Sequence, residues 1–235
     1  NTDNMTISGE TIDYGPCAFL DGYNPMQSFS AIDTHGRYAY ARQPDVAIWN
    51  LARLASALLP LMGEDQTRAI AQATEQVQTF PDRFEAARRD VFGAKIGLAR
   101  PTPEDDALVD DLLALMAGAG ADFTATFRAL AEGTPLPLPQ SPALEAWQAA
   151  HAARLGREPG GPAAAQARML AANPALIARN HMVEAAISAA LENDLAPFER
   201  LAAALTRPFA PRPEERALGA PPPPGAAVTR TFCGT

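Results

Sequence analysis

Lysine is almost absent from this chain. Lys95 is the only one, and the 19 basic residues are outnumbered by 27 acidic ones, a formal net charge of −8. That balance excludes broad, non-specific binding to nucleic acid or to anionic membranes, both of which need clustered Lys and Arg. Cysteine is scarce too. Cys17 and Cys233 lie near opposite ends and cannot build a disulfide framework, and no Cys/His spacing suggests zinc. Spacing leaves two readings open: free thiols in a reducing cytosol, or a redox pair closing a very long loop. Long apolar runs are missing, so nothing approaches the roughly 20 residues that span a bilayer. The start shows no basic region followed by an apolar core, the pattern of a secretory signal. It also has no initiator Met and opens on Asn1 inside what looks like a motif, so the chain reads as a fragment. What is present is 235 residues, 47% hydrophobic, enough for one large domain or two small ones.

Three regions are expected. Residues 1–43 are rich in Gly, Asp, Asn, Thr and Tyr, with short β-prone pieces at Met5-Thr6-Ile7 and Thr11-Ile12-Asp13. They read as turns and a short β-hairpin, the texture of a site. Residues 44–207 read as a helical body. Helices are expected from Pro44 to Leu59, over about 64–78 and from Pro81 to Leu98. Another opens at Thr102-Pro103-Glu104-Asp105, with a capping hydroxyl, Pro in the first turn and acids at the positive dipole end. Leu108, Leu112, Leu115 and Met116 supply its apolar stripe, and Phe123, Phe127 and Leu130 repeat at helical spacing. Further starts are Ser141-Pro142, Pro162 and Asn173-Pro174, the last carrying Leu176, Ile177 and Ile187 toward a core. Residues 208–235, with four consecutive prolines from Pro221, read as an extended tail. The fold class expected is mainly α with an N-terminal hairpin.

The chemistry concentrates near the start. Asp3 and Asn4 precede one β-prone piece and Asp13 follows the next, so a hairpin would bring Asp13 toward Asn4. A carboxylate and an amide carbonyl are hard oxygen ligands suited to Mg²⁺, with Mn²⁺ as the alternative. A second carboxylate just outside that shell could deprotonate a hydroxyl. The logic is that of a kinase site, although the adjacency of Asp3 and Asn4 departs from the spacing of ordinary protein kinases. By spacing alone, the same residues also serve as surface turns.

The motifs together are more specific. Asn1-Thr2-Asp3-Asn4-Met5, Thr11-Ile12-Asp13-Tyr14-Gly15-Pro16, Phe19-Leu20-Asp21, Gly36-Arg37-Tyr38, Gln43-Pro44 and Trp49-Asn50-Leu51 closely resemble the selenoprotein O family, the SelO or YdiU protein adenylyltransferases. The resemblance continues through Asp122-Phe123, Phe127-Arg128-Ala129-Leu130, Asn173-Pro174 and Arg179-Asn180-His181 to Phe232-Cys233-Gly234-Thr235. It implies the C-lobe portion of a protein-kinase-like fold that binds ATP in a reversed orientation. The implied activity is transfer of AMP to Ser, Thr or Tyr hydroxyls of proteins. It assigns Asp3 as proton acceptor, Asn4 and Asp13 as Mg²⁺ ligands, and Asp13 also to the nucleotide phosphates. The family's Gly-rich loop, Lys, Glu and arginines would all lie upstream of Asn1, so this chain is expected to be inactive alone. The resemblance also implies a bond between a C-terminal Cys and one following the Asp-Tyr-Gly segment. Cys233 matches the first; the bacterial partner position aligns with Phe29, and Cys17 could substitute.

Two rivals stay open: a kinase-like phosphoryl transferase using the same metal site, and a non-catalytic helical interaction module. Expected partners are ATP and protein substrates, with no nucleic acid and no membrane. The compartment expected is the cytoplasm for a bacterial protein and the mitochondrion for a eukaryotic one. Lys95 reads as a solvated helix residue, His151 as a surface residue, His35 as a turn residue and His181 as a structural one. Trp49 and Trp147 read as helix packing.

Overall fold

A computed structural model describes residues 2–11 and 18–232. The chain divides into two compact units. The first comprises residues 1–17, 25–88 and 230–235, the second residues 18–24 and 89–229.

In the first unit, α1 (Gln43–Leu58) and α2 (Gln66–Gln78) pack on one another, and α3 (Phe80–Lys95) contributes its first half. Each start has a local cause. Pro44 occupies the first turn of α1, where its missing N–H costs nothing. The Asp65 carboxylate accepts the Arg68 N–H at 3.1 Å and caps α2. Residues 25–39 form a loop, which a one-turn 3-10 helix, Tyr40–Arg42, joins to α1. Thr231 lies alongside the loop, with its N–H on the Phe29 carbonyl (2.7 Å) and its carbonyl accepting from Ala31 (3.0 Å).

The second unit holds the larger core. Around the end of α3 stand α4 (Asp106–Ala119), α5 (Phe123–Glu132), α6 (Pro142–Leu155) and α7 (Gly161–Ala172). Phe92, Ile96, Leu112, Met116, Phe127 and Leu144 are buried among them. Ser141 caps α6 by accepting the Leu144 N–H at 3.2 Å, and Asp122 caps α5 at 2.7 Å from the Ala125 N–H. The last helices, α8 (Asn180–Leu191) and α9 (Ala196–Leu205), pack together, and Leu176, Ala204 and Leu218 form a second, smaller core.

Three expectations are overturned. No β-strand occurs among the described residues, which contain only two isolated bridges, so there is no N-terminal hairpin there. The reason is visible at residues 6–10. Thr6 and Ser8 hydrogen-bond each other (2.9 Å) and turn toward the Glu10 carbonyl, offering the backbone local partners in place of a ladder. Ile7, at 90% exposure, has no face to bury. Nor do these helical units establish the kinase-like lobe that the resemblance implied. Second, residues 174–179 are not helical. The N–H groups of Ala175 and Leu176 both donate to the Pro208 carbonyl (2.8 and 3.0 Å), so α8 begins only at Asn180 and Ile187 is exposed. Third, the tail is not simply extended. Pro213–Gly219 form a 3-10 helix, where Glu215 accepts the Arg212 N–H (2.8 Å) and Leu218 is buried. Gly219 is required there, because a Cβ would meet the Ala175 carbonyl oxygen at 2.5 Å.

Candidate active site

Asp3 and Asn4 lie together in a one-turn 3-10 helix, Thr2–Asn4, in the first unit. Both are exposed, and neither side chain is taken up by a hydrogen bond or ion pair among the described residues. The next residue, Met5, fastens the turn to α1: the buried Asn50 donates its amide N–H to Met5 Sδ at 3.6 Å. A cavity of about 560 Å³ opens beside this turn, lined by Thr2, Met5, Asn50, Arg53 and Leu54. Asp13 lies outside the described residues, as do Cys17 and Cys233, so of the expected site residues only Asp3 and Asn4 are described. Among the described residues no three His, Cys, Asp or Glu side chains converge on a metal position. Of the two expected ligands the described residues include Asn4, whose free amide carbonyl is a hard oxygen suited to Mg²⁺, next to the Asp3 carboxylate expected to take the proton.

The loop before α1 holds functional groups to which sequence reasoning gave no role. Asp33 organises it, accepting from Ser28 Oγ (2.9 Å) and the N–H groups of Arg37 (2.9 Å) and Tyr38 (2.8 Å). Burial opposes the carboxylate, but these donors outweigh it and hold the Asp33 pKa below its ordinary value. Trp49 is 42% exposed rather than packed, with the Arg37 and Arg53 guanidiniums over its ring at 4.9 and 5.4 Å. His35 is a turn residue, its Nδ1 2.9 Å from Thr34 Oγ1.

In the second unit, residues expected at the surface are inside. Lys95 is half-buried, donating to the Ala172 carbonyl (3.3 Å) and Asn173 Oδ1 (3.2 Å) beside the rings of Phe123 and Phe127. Burial lowers its pKa. His151 is buried and stacked on Trp147, its Nε2 donating to the Ile96 carbonyl at 2.8 Å. Burial lowers its pKa, with the Ile96 hydrogen bond opposing. His151 shares a face of α6 with Leu144, Trp147 and Leu155, and Lys95 lies one turn after Phe92, so apolar neighbours were the signal for their inward side, although no spacing names their partners.

The His151 shift carries a pH dependence. A folded pKa below the unfolded value of about 6.5 means that the unfolded chain takes up the proton first. The stabilising contribution is therefore complete above roughly pH 6.5 and is lost as the pH falls through the folded pKa. Urea midpoints should drop between about pH 7 and pH 5 in the native chain, and drop less in His151→Gln. Equal pH dependence in both proteins would show that His151 does not titrate across unfolding.

Arg179, resembling part of a family motif, is 1% exposed. Its Nη1 lies 2.6 Å from both Asp21 Oδ1 and Asp122 Oδ2, and its Nη2 reaches Asp122 Oδ1 (3.0 Å) and the Gly219 carbonyl (3.1 Å). Burial works against the cation, but Asp122 and then Asp21 outweigh it and raise its pKa. Backbone bonds from Tyr23 to Ala121 and from Phe123 to Asp21, both 2.8 Å, complete the seam. Asp21 follows Asp13 by eight residues in the sequence.

Comparison with known proteins agrees with the motifs. A family model described as Protein adenylyltransferase SelO matches residues 1–206. The Protein nucleotidyltransferase YdiU of Jannaschia sp. is 52% identical over 243 residues, and that of Methylorubrum populi 49% over 251. That of Bradyrhizobium diazoefficiens is 47% identical over 244 residues. Each alignment covers 100% of this chain and 50% of the relative, so the chain spans about half the length of these curated relatives. No helix among the described residues is long and apolar enough to cross a membrane. With a family model matching residues 1–206 and relatives near 50% identical over the whole chain, the chain belongs to the SelO family of protein adenylyltransferases.

Proposed function

We propose that the whole protein transfers AMP from ATP to Ser, Thr or Tyr hydroxyls of protein substrates in the cytoplasm, and that this chain carries its acid–base and metal-binding residues. The observation behind this reading is the free, exposed Asp3-Asn4 pair in a chain of this family, with Thr2 and Met5 on either side of it lining a cavity. Asp3 takes the proton from the substrate hydroxyl, whose oxygen attacks the α-phosphorus while pyrophosphate leaves. An exposed carboxylate without an internal partner is suited to this, because nothing must be broken before it accepts the proton. Asn4 and Asp13 would hold Mg²⁺. When bound, that ion neutralises charge developing on the transferred phosphate. Met5 and Asn50 fix the turn that presents Asp3. The residues that clamp the nucleotide are proposed to lie upstream, so this chain alone should not catalyse transfer.

The test uses ATP radiolabelled at either the α- or the γ-phosphorus, full-length enzyme and a protein substrate. AMP transfer puts the α-label on the protein and leaves the γ-label in pyrophosphate. Incorporation of the γ-label alone would identify a phosphoryl transferase. Incorporation of neither would leave a helical interaction module. Robust α-labelling by the 235-residue chain alone would refute its dependence on an upstream clamp.

A further inference from the structure

The loop before α1 encloses a second concavity of about 690 Å³, lined by His35, Arg37, Tyr38, Arg42, Asp45 and Trp49 among others. We propose that it docks an acidic side chain of the protein substrate, a Glu or Asp a few residues from the target hydroxyl. The role rests on the protein-substrate reading above; the site itself rests on the following geometry.

Two guanidiniums face this cavity, and neither has an acidic partner among the described residues. Both are held in place. Arg42 Nη1 donates to the carbonyls of His35 (3.1 Å) and Gly36 (3.5 Å). Arg37 lies over the rings of Trp49 (4.9 Å) and Tyr38 (5.9 Å). Gly36, at φ +65°, makes the turn that precedes Arg37 and whose carbonyl Arg42 reaches. The Asp33 carboxylate also lines the cavity, but it spends its acceptor capacity on the loop's own donors and forms no ion pair with either arginine. Planar, pre-positioned guanidiniums suit a carboxylate, which can accept two parallel hydrogen bonds. Two guanidiniums already lie over the Trp49 indole, so the ring serves the arginines rather than stacking an incoming base.

The position favours a substrate segment over a free anion. Helix α1 lines this cavity with Val46 and Trp49, and lines the cavity beside Thr2 and Met5 with Asn50, Arg53 and Leu54. At about 1.5 Å of rise per residue, one helix sets the two openings within a few residues' reach of each other. A peptide placing its hydroxyl near Asp3 can set an acidic neighbour between Arg37 and Arg42.

The experiment measures binding without catalysis, so its failure is distinguishable from failure of AMP transfer. Fluorescein-labelled hexaglutamate is titrated into the full-length protein, without ATP, and followed by anisotropy. Saturable binding is expected, weakened about tenfold or more by Arg37→Gln and by Arg42→Gln, the usual cost of losing a charge-assisted hydrogen bond. Asp45→Asn should tighten it, and Arg68→Gln, on the exposed surface of α2, should leave it unchanged. Urea midpoints of the variants establish that they fold, and Arg37→Lys should recover part of the affinity. The proposal is overturned by absence of saturable binding, or by folded Arg37→Gln and Arg42→Gln proteins that bind as tightly as wild type. Equal weakening by Arg68→Gln, which would reveal bulk charge, also overturns it. So does equally effective displacement by inorganic phosphate at matched ionic strength, which would reveal a phosphate site.

Discussion

Asp13→Ala in the full-length enzyme should abolish AMP transfer, lowering the rate by about a thousandfold or more, on the scale of losing a key electrostatic contact to the transition state. The proposed ligand set holds one charged group and one neutral amide. Removing the charge leaves water as the replacement, which supplies an oxygen without neutralising the cation. Asn4→Ala removes only a neutral oxygen, so its loss should be partly reversed by raising Mg²⁺. Asp3→Asn should behave differently again. It keeps the metal ligands, so the KM for ATP should hold while kcat falls by roughly a hundredfold to ten-thousandfold, the range for a lost general base. Near-wild-type turnover by Asp13→Ala, in protein shown to be folded by circular dichroism, would mean that the active-site assignment is wrong.

The largest effect on stability is expected at Arg179. Arg179→Met leaves the Asp21 and Asp122 carboxylates facing each other in a buried seam without their cation. Breaking a buried pair in this way costs about 3–5 kcal/mol, measurable as a lower urea midpoint. The Gly219 carbonyl would also lose its donor. Much of the cost comes from the stranded charge, so adding Asp21→Asn to Arg179→Met should restore part of the loss. A single variant that lost less than about 1 kcal/mol would place this cluster with exposed ion pairs, which contribute little.

The local parts of this protein were legible in its residues. Pro44, Ser141-Pro142, Asp122 and the apolar spacing of Leu112 and Met116 mark helices that form close to where they were expected. Each signal acts within one or two turns, through a cap, a fixed φ or a shared face. The Asp3-Asn4 and Asp13 motifs were legible only as a family resemblance, since by spacing they are ordinary turn residues. The expected hairpin failed because β-prone residues form a strand only with a partner to complete the ladder, and Thr6 and Ser8 found closer ones.

What the sequence by itself determined is the positions of most helices, the motifs that mark the family, and the scarcity of lysine and cysteine. The tertiary structure alone decided which polar groups go inside. Arg179 meets Asp21 across 158 residues, Lys95 meets Asn173 across 78, and His151 meets Ile96 across 55. It also ended the expected helix after Asn173, through the Pro208 carbonyl, and folded Leu218 of the Pro-rich tail into a core. Burying a charge or an imidazole is tolerable only when a partner is already in place. Those partners come from distant parts of the chain, so no pattern within a single helix could announce them.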